Sequence, residues 1–119
     1  MRQFTTPEQT AKLIELGFVP EVKIKEVQVV HSEIQVDHDC NFPIGKLIEV
    51  LPRCIETPYD TAVLEISYDS DDGEWYCGHR WCYNRGWRRF GDNYKTIDDT
   101  ELVDALYRYI VELKEEGVI

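Results

Sequence analysis

The spacing of apolar residues near the N-terminus predicts a helix. Thr6, Pro7 and Gln9 match the cap, the first helical residue and the capping-box partner of a helix that starts at residue 7. Gly17 suits the left-handed position that ends a helix. The apolar face expected between these signals consists of Ala11, Leu13, Ile14 and Leu16.

The next segment is extended in its pattern. Residues 20–36 are rich in β-branched side chains, and the parity of the apolar positions changes near Lys25, which predicts a bulge or a turn. Ile34 and Val36 predict another short strand, and residues 37–41 a polar break. Asn41 is expected to cap a short helix over 43–51, which Pro52 ends.

The second half alternates as an antiparallel hairpin does. Residues 61–68 predict a strand, residues 69–73 a turn ending in glycine, and residues 74–83 the returning strand. Residues 84–93 are expected to form a longer loop, with a short strand near 87–90. The last helix is predicted with Asp99 or Thr100 as its cap, Gly117 at its end, and an apolar stripe of Leu102, Val103, Leu106, Ile110 and Leu113.

These elements predict one α+β domain over residues 1–119. Hairpin-length connections favour an antiparallel sheet, here of three to five strands, and amphipathic helices cover such a sheet from one side. We therefore expect a two-layer sandwich, with two long helices and one short helix packed mainly on one face.

Composition restricts the cellular compartment and the binding partners expected for this domain. The chain has 119 residues, 43% of them hydrophobic, and a net charge of −10, which is unfavourable for general binding to phosphate backbones. The N-terminal residues lack an apolar segment typical of a signal peptide, and no run approaches the ~20 apolar residues that span a bilayer. The sequence therefore predicts a cytoplasmic protein without membrane contact, whose four cysteines stay reduced.

Three segments resemble a family of small uncharacterised proteins from gut bacteria of the Bacteroides group. They are residues 2–18, 43–52 and 101–119. Members of that family look like accessory genes, some associated with phages or mobile elements. The resemblance implies a bacterial cytoplasmic protein, and it implies no activity and no role for any residue.

One segment combines basic and aromatic residues. Between residues 79 and 95 there are five basic side chains and one acidic side chain. Guanidinium groups and aromatic rings suit a surface that binds single-stranded nucleic acid, and they also dominate protein-interaction hot spots. In the alternative we favour, the basic groups pair with carboxylates and the rings fill the core. The candidate binding patch comprises Arg80, Trp81, Arg85, Trp87, Arg88, Arg89 and Tyr94.

A second segment has the residue types of a metal site. Cys77, His79 and Cys82 are a weak candidate for zinc, with Cys40 or His38 as a fourth ligand. Strand alternation puts Cys82 on the face opposite Cys77 and His79, which counts against convergence. A nucleophilic pair of Cys77 or Cys82 with His31, His38 or His79 is the less favoured catalytic alternative.

The acidic run at 69–74 resembles a calcium loop only in its spacing, and we interpret it as a solvated turn. No phosphate-binding loop or dinucleotide motif is present, so no cofactor is predicted.

Three functional classes remain after these observations. A protein-interaction or regulatory accessory module without catalysis ranks first, because it needs only a scaffold and an exposed anchor patch. Single-stranded nucleic-acid binding through residues 79–95, or mimicry of nucleic acid by the acidic surface, ranks second, and an enzyme ranks third. The sequence leaves a homodimer open.

Overall fold

The computed structural model describes residues 1–58, 60–82 and 93–119, and for residues 24–26, 35–38 and 93 it describes the backbone alone. Three helices and six strands follow one another along the described chain. They are α1 (Pro7–Glu15), β1 (Glu21–Val30), β2 (Glu33–Asn41), α2 (Ile44–Val50), β3 (Cys54–Glu56), β4 (Thr61–Asp69), β5 (Glu74–Trp81), β6 (Asn93–Asp99) and α3 (Leu102–Glu115).

The main body is the predicted two-layer α+β sandwich. Its antiparallel sheet has four strands in the order β3-β4-β5-β6. Helix α3 packs on β5 and β6, and α2 packs against α3. The core between the layers includes Leu47, Ile55, Cys77 and much of α3. The sequence had not predicted β3 or β6, which pair with the outer sides of β4 and β5.

The first helix has the predicted ends and a narrower buried face than predicted. The Thr6 hydroxyl accepts a hydrogen bond from the Gln9 amide, the capping box is complete, and Gly17 has φ +97°. Only Thr10 and Leu13 are buried within α1, and Ile14 is exposed. The predicted four-residue apolar face was therefore wrong in part, because α1 contacts the core along a single row.

The last helix buries the predicted stripe and one aromatic residue besides. All five predicted stripe residues are buried, and Tyr109 between them is fully buried. The cap residue is Glu101, without a side-chain cap bond, so the prediction of Asp99 or Thr100 was wrong. The Asp99 carboxylate instead accepts hydrogen bonds from the Glu101 amide and from the Arg108 guanidinium.

Strands β1 and β2 form a separate two-stranded sheet. A two-residue turn joins them, and both its residues, His31 and Ser32, have positive φ (51° and 65°), as the primed hairpin turns require. The predicted bulge is confirmed at Lys25, where the register shifts between Ile24 and Glu26. The predicted polar break at 37–41 was wrong, because pairing with β1 holds these residues extended as far as Asn41. The cap of α2 is Pro43 rather than Asn41.

The hairpin makes the molecule elongated. The principal extents are 71 × 34 × 17 Å and the radius of gyration is 18.2 Å, whereas a compact chain of this length has a radius near 13.5 Å, by about 2.2 Å times length to the power 0.38. A strand of ten residues spans roughly 34 Å, so the hairpin accounts for the excess. Among the described helices, none has the length and apolar character needed to cross a bilayer.

Candidate functional site

The structure separates the first two residues of the predicted patch onto opposite faces of β5. Arg80 lies on the face away from the helices, where its Nε is 2.6 Å from a carboxylate oxygen of Glu65. Trp81 lies on the helix side, is only 8% exposed, and packs its ring 4.8 Å from the ring of Tyr94. Trp81 is therefore a core residue and is not available to stack on a ligand.

In the part of this segment that the structure describes, basic groups pair with carboxylates and two aromatic rings pack together. Lys95 pairs with Glu116 at the end of α3, as Arg80 pairs with Glu65, and the rings of Trp81 and Tyr94 pack together. Four members of the candidate patch lie outside the described residues, and their part in binding stays a prediction. They are Arg85, Trp87, Arg88 and Arg89.

His79 is fully buried and both of its ring nitrogens have partners. Nε2 lies 2.8 Å from the carbonyl oxygen of Pro52, which can only accept, so Nε2 carries the proton. Nδ1, 2.5 Å from the hydroxyl oxygen of Tyr109, then accepts the hydrogen bond. Burial lowers the pKa of His79, although the hydrogen bond to Pro52 opposes the shift. The ring is therefore neutral, and it connects β5 to α3 and to the corner after α2.

Cys77 is inaccessible as well. It lies on the same buried face of β5, and burial raises the pKa of its thiol to about 12. Cys82 lies beyond the end of β5, and Cys40 is exposed on the hairpin. Across the described parts of the chain, no three histidine, cysteine or acidic side chains are grouped as metal ligands. The ring nitrogens of His79 hydrogen-bond to Pro52 and Tyr109, and neither bonds to a cysteine among the described residues.

Thiol labelling of the native protein should reproduce this arrangement. We expect a small disulfide reagent to modify Cys40 and Cys54 rapidly, because both are exposed and the thiolate is the reactive form. Cys77 should react only after unfolding, at least about a hundredfold more slowly in the native state because its thiolate is scarce. Peptide mapping of the labelled protein measures this, and rapid native labelling of Cys77 would contradict its placement in the core.

The acidic run forms the tip of the β4–β5 hairpin. The carboxylate of Asp69 accepts the Asp71 amide at 2.9 Å, and that of Asp72 accepts the Glu74 amide at 3.0 Å. Asp72 also accepts the hydroxyl of Tyr76 at 2.5 Å, which raises the pKa of Tyr76 to about 12. These carboxylates shape a turn, as the sequence predicted, and do not converge on a common point.

The most conspicuous exposed surface is one face of the β1–β2 hairpin, which we call the valine face. It comprises Val22, Val27, Val29 and Ile34, which are 56%, 58%, 72% and 72% exposed. Val29 pairs directly with Ile34, and Val27 lies two residues away on the same side. The bulge at Lys25 changes the parity of β1, so that Val22 returns to this side.

The opposite face of the hairpin is polar. Glu21 and Lys23 form an ion pair of 3.1 Å there, and Gln28 and Glu33 follow along the strands. A sheet with one apolar and one polar face normally packs the apolar face on a core. Here that face is exposed, and contiguous exposed apolar residues mark interaction surfaces.

The chain has no match in any of the three comparisons, whether with models of protein families, with curated proteins or with solved structures. The resemblance of the terminal segments to the Bacteroides-group family gains no support from them and stays a prediction.

The sequence predicted the extended segment that carries the valine face, but not the turn that folds it into a hairpin. The β-branched residues and the parity change near Lys25 predicted a bulged extended segment. The turn was hidden, because His31 and Ser32 are neither the Asn-Gly nor the Asp-Gly pair that marks a hairpin. Nothing in the local pattern tells whether a helix covers the apolar side.

Proposed function

We propose that this protein is an interaction module without catalysis, which binds a different, basic protein through the valine face of its hairpin. The observation that carries the proposal is the exposure of Val22, Val27, Val29 and Ile34 on one side of a two-stranded sheet. Such a hairpin is marginally stable in water by itself, and an apolar partner on one face stabilises it.

The available area favours a different protein over a second copy. The valine face extends about 27 Å along strands that together are about 10 Å wide, which gives roughly 300 Å². Two copies packed face to face would bury about 600 Å² in total, below the ~1,200 Å² of a stable interface. A larger partner that wraps around the hairpin reaches that area.

Charge favours a basic partner. The chain carries −10 overall, so two copies repel each other and a cationic protein is attracted. The described cations at Arg80, Lys95 and Arg108 are paired with carboxylates of this chain, so their charges are already neutralised within it.

The exposed thiols support the cytoplasm as the place of this function. Cys40 and Cys54 are free and exposed. Exposed thiols persist in reducing compartments and are oxidised in secretory ones.

A matched pair of substitutions tests the proposal. Val29→Lys places a charge in the centre of the valine face, and Val19→Lys places the same charge at an equally exposed valine outside the hairpin, both valines being 72% exposed. A partner that wild type captures from lysate of the organism that encodes the protein should be retained at least about tenfold less by Val29→Lys, because hot-spot anchors contribute about 2 kcal/mol or more. Val19→Lys should retain it within about twofold of wild type, within the scatter of a near-neutral surface change.

Two results would overturn the proposal. Equal retention of every partner by Val29→Lys and wild type would exclude the valine face. A wild-type dimer in light scattering, dissociated by Val29→Lys and intact in Val19→Lys, would show that a second copy occupies the face. Both variants should unfold at the wild-type denaturant concentration, because both residues are exposed.

A further inference from the structure

Within the part of the chain that the structure describes, the outer edge of β2 is not paired with another strand. Val30 pairs with Glu33 beside the two-residue turn, so the N–H and C=O groups of Glu33 bond to β1. Every second residue from Ile34 to Cys40 therefore directs its backbone groups away from β1. In the described part of the chain, this sheet has β1 and β2 as its two strands, and no third strand pairs with that edge.

The two strands of the hairpin differ in charge. Strand β1 contains two glutamates and two lysines, whereas β2 contains Glu33, Asp37 and Asp39 and no lysine or arginine. Like charges on neighbouring strands are destabilising and opposite charges stabilise the pair. Two copies of β2 would bring acids together along their whole length, which protects the edge from self-association.

We infer that the partner contributes an extended segment that adds to the outer edge of β2 as a third strand, with apolar and basic residues in alternation. This inference rests on the proposed function and names the partner's chemistry. The apolar residues of the added strand continue the valine face beside Ile34, and the basic residues lie on the opposite face beside Glu33. Three strands with an apolar face also pass the size at which a small sheet is stable.

Two synthetic peptides of nine residues test the inference on the full chain. Both have valine at alternate positions with a central threonine for solubility, and the remaining positions are lysine in one peptide and glutamate in the other. Titrated into the isotopically labelled protein at low salt, the lysine peptide should shift the amide signals of Ile34 and Cys40 on β2. The glutamate peptide should bind at least about tenfold more weakly, and added salt should weaken the lysine peptide.

Charge reversal on the polar face identifies the strand. Glu33→Lys should weaken binding of the lysine peptide at least about threefold, because the substitution turns a favourable cross-strand charge pair into a repulsive one. Glu21→Lys makes the same change on β1 and should leave the affinity for the peptide within about twofold of wild type. Strand β2 separates β1 from the added strand, so residue 21 has no cross-strand contact with the peptide.

Several outcomes would overturn the inference. They are equal binding of both peptides, shifts confined to β1 or to the four-stranded sheet, equal effects of the two charge reversals, and absence of binding at millimolar peptide. The proposed function would survive each of these if capture still depended on Val29, since a partner can dock on the valine face without adding a strand. Loss of the Val29 effect would remove both.

Discussion

Replacing Gly78 with alanine should destabilise the protein by about 3 kcal/mol or more, at the upper end of overpacking effects. Gly78 lies in β5 opposite Thr96, at a point where β5 and β6 approach closely. A Cβ atom at residue 78 would lie 2.2 Å from the backbone oxygen of Lys95 and 2.9 Å from the Cα of Thr96. Because both neighbours are backbone atoms, they cannot rotate away as a side chain would. The two strands have to part, and this disturbs the face that α3 covers.

The matched control is the same substitution in α2. A methyl group on the Cα of Gly45 would have no atom within 4 Å, and this glycine lies in a helix, so Gly45→Ala should stabilise the protein by up to about 1 kcal/mol. Urea unfolding of wild type and the two variants measures both effects. A loss below about 1 kcal/mol in Gly78→Ala would fall under the overpacking range and contradict the close approach of β5 and β6.

Acid should destabilise the fold through His79. Burial lowers the pKa of this histidine in the folded state, so the unfolded chain binds the additional proton more tightly. The stabilisation is fully present above the unfolded pKa of about 6.5 and is lost as the pH falls towards the folded pKa. One proton gives a slope of at most about 1.4 kcal/mol per pH unit. The titratable neighbours Cys77 and Tyr109 keep their protons over this range, because burial raises the pKa of each.

Urea unfolding at pH 7.5, 6.5, 5.5 and 5.0 checks this dependence. His79→Gln should be less stable at pH 7.5 by about 1–3 kcal/mol, because a buried hydrogen-bond partner is lost, and its stability should change less between pH 6.5 and 5.0. His31→Asn, in the exposed turn of the hairpin, is the control and should follow wild type. An equal pH slope in wild type and His79→Gln would contradict the assignment.

The elements defined by local signals were predictable from the sequence. Thr6 with Gln9 fixed the start of α1, Gly73 ended the β4–β5 turn at φ +71°, and the apolar stripe of α3 determined its buried side. Each of these depends on residues near one another in the chain. The interactions that stabilise these elements are therefore visible in a short stretch of sequence.

The missed strands depend on distant partners. Four of the seven residues of strand β6 are poor strand formers, namely Asn93, Lys95, Asp98 and Asp99. The strand is held by pairing with β5 and by the ion pair between Lys95 and Glu116. The end of β2 is also polar, and it is extended because it pairs with β1. Tertiary pairing overrides propensity in both cases.

The candidate patch also combines features that the local sequence determines with features that it does not. Alternation along β5 was sufficient to place Cys77, His79 and Trp81 on one face, and that face is buried under α3. Grouping Trp81 with the neighbouring arginines by composition ignored this alternation. The valine face could not be recognised in advance, since its apolar pattern is the same whether a layer covers it or not.

Hydrogen exchange of the backbone amides, measured with and without the partner that wild type captures, shows whether that partner binds the β1–β2 hairpin. In the free protein the hairpin amides should exchange fast, because a two-stranded sheet is marginally stable, while β5 and α3 stay protected. We expect the partner to slow exchange within residues 21–41 and to leave exchange in the four-stranded sheet unchanged. Protection gained on β4–β6 or α3, with the hairpin still exchanging fast, would contradict it.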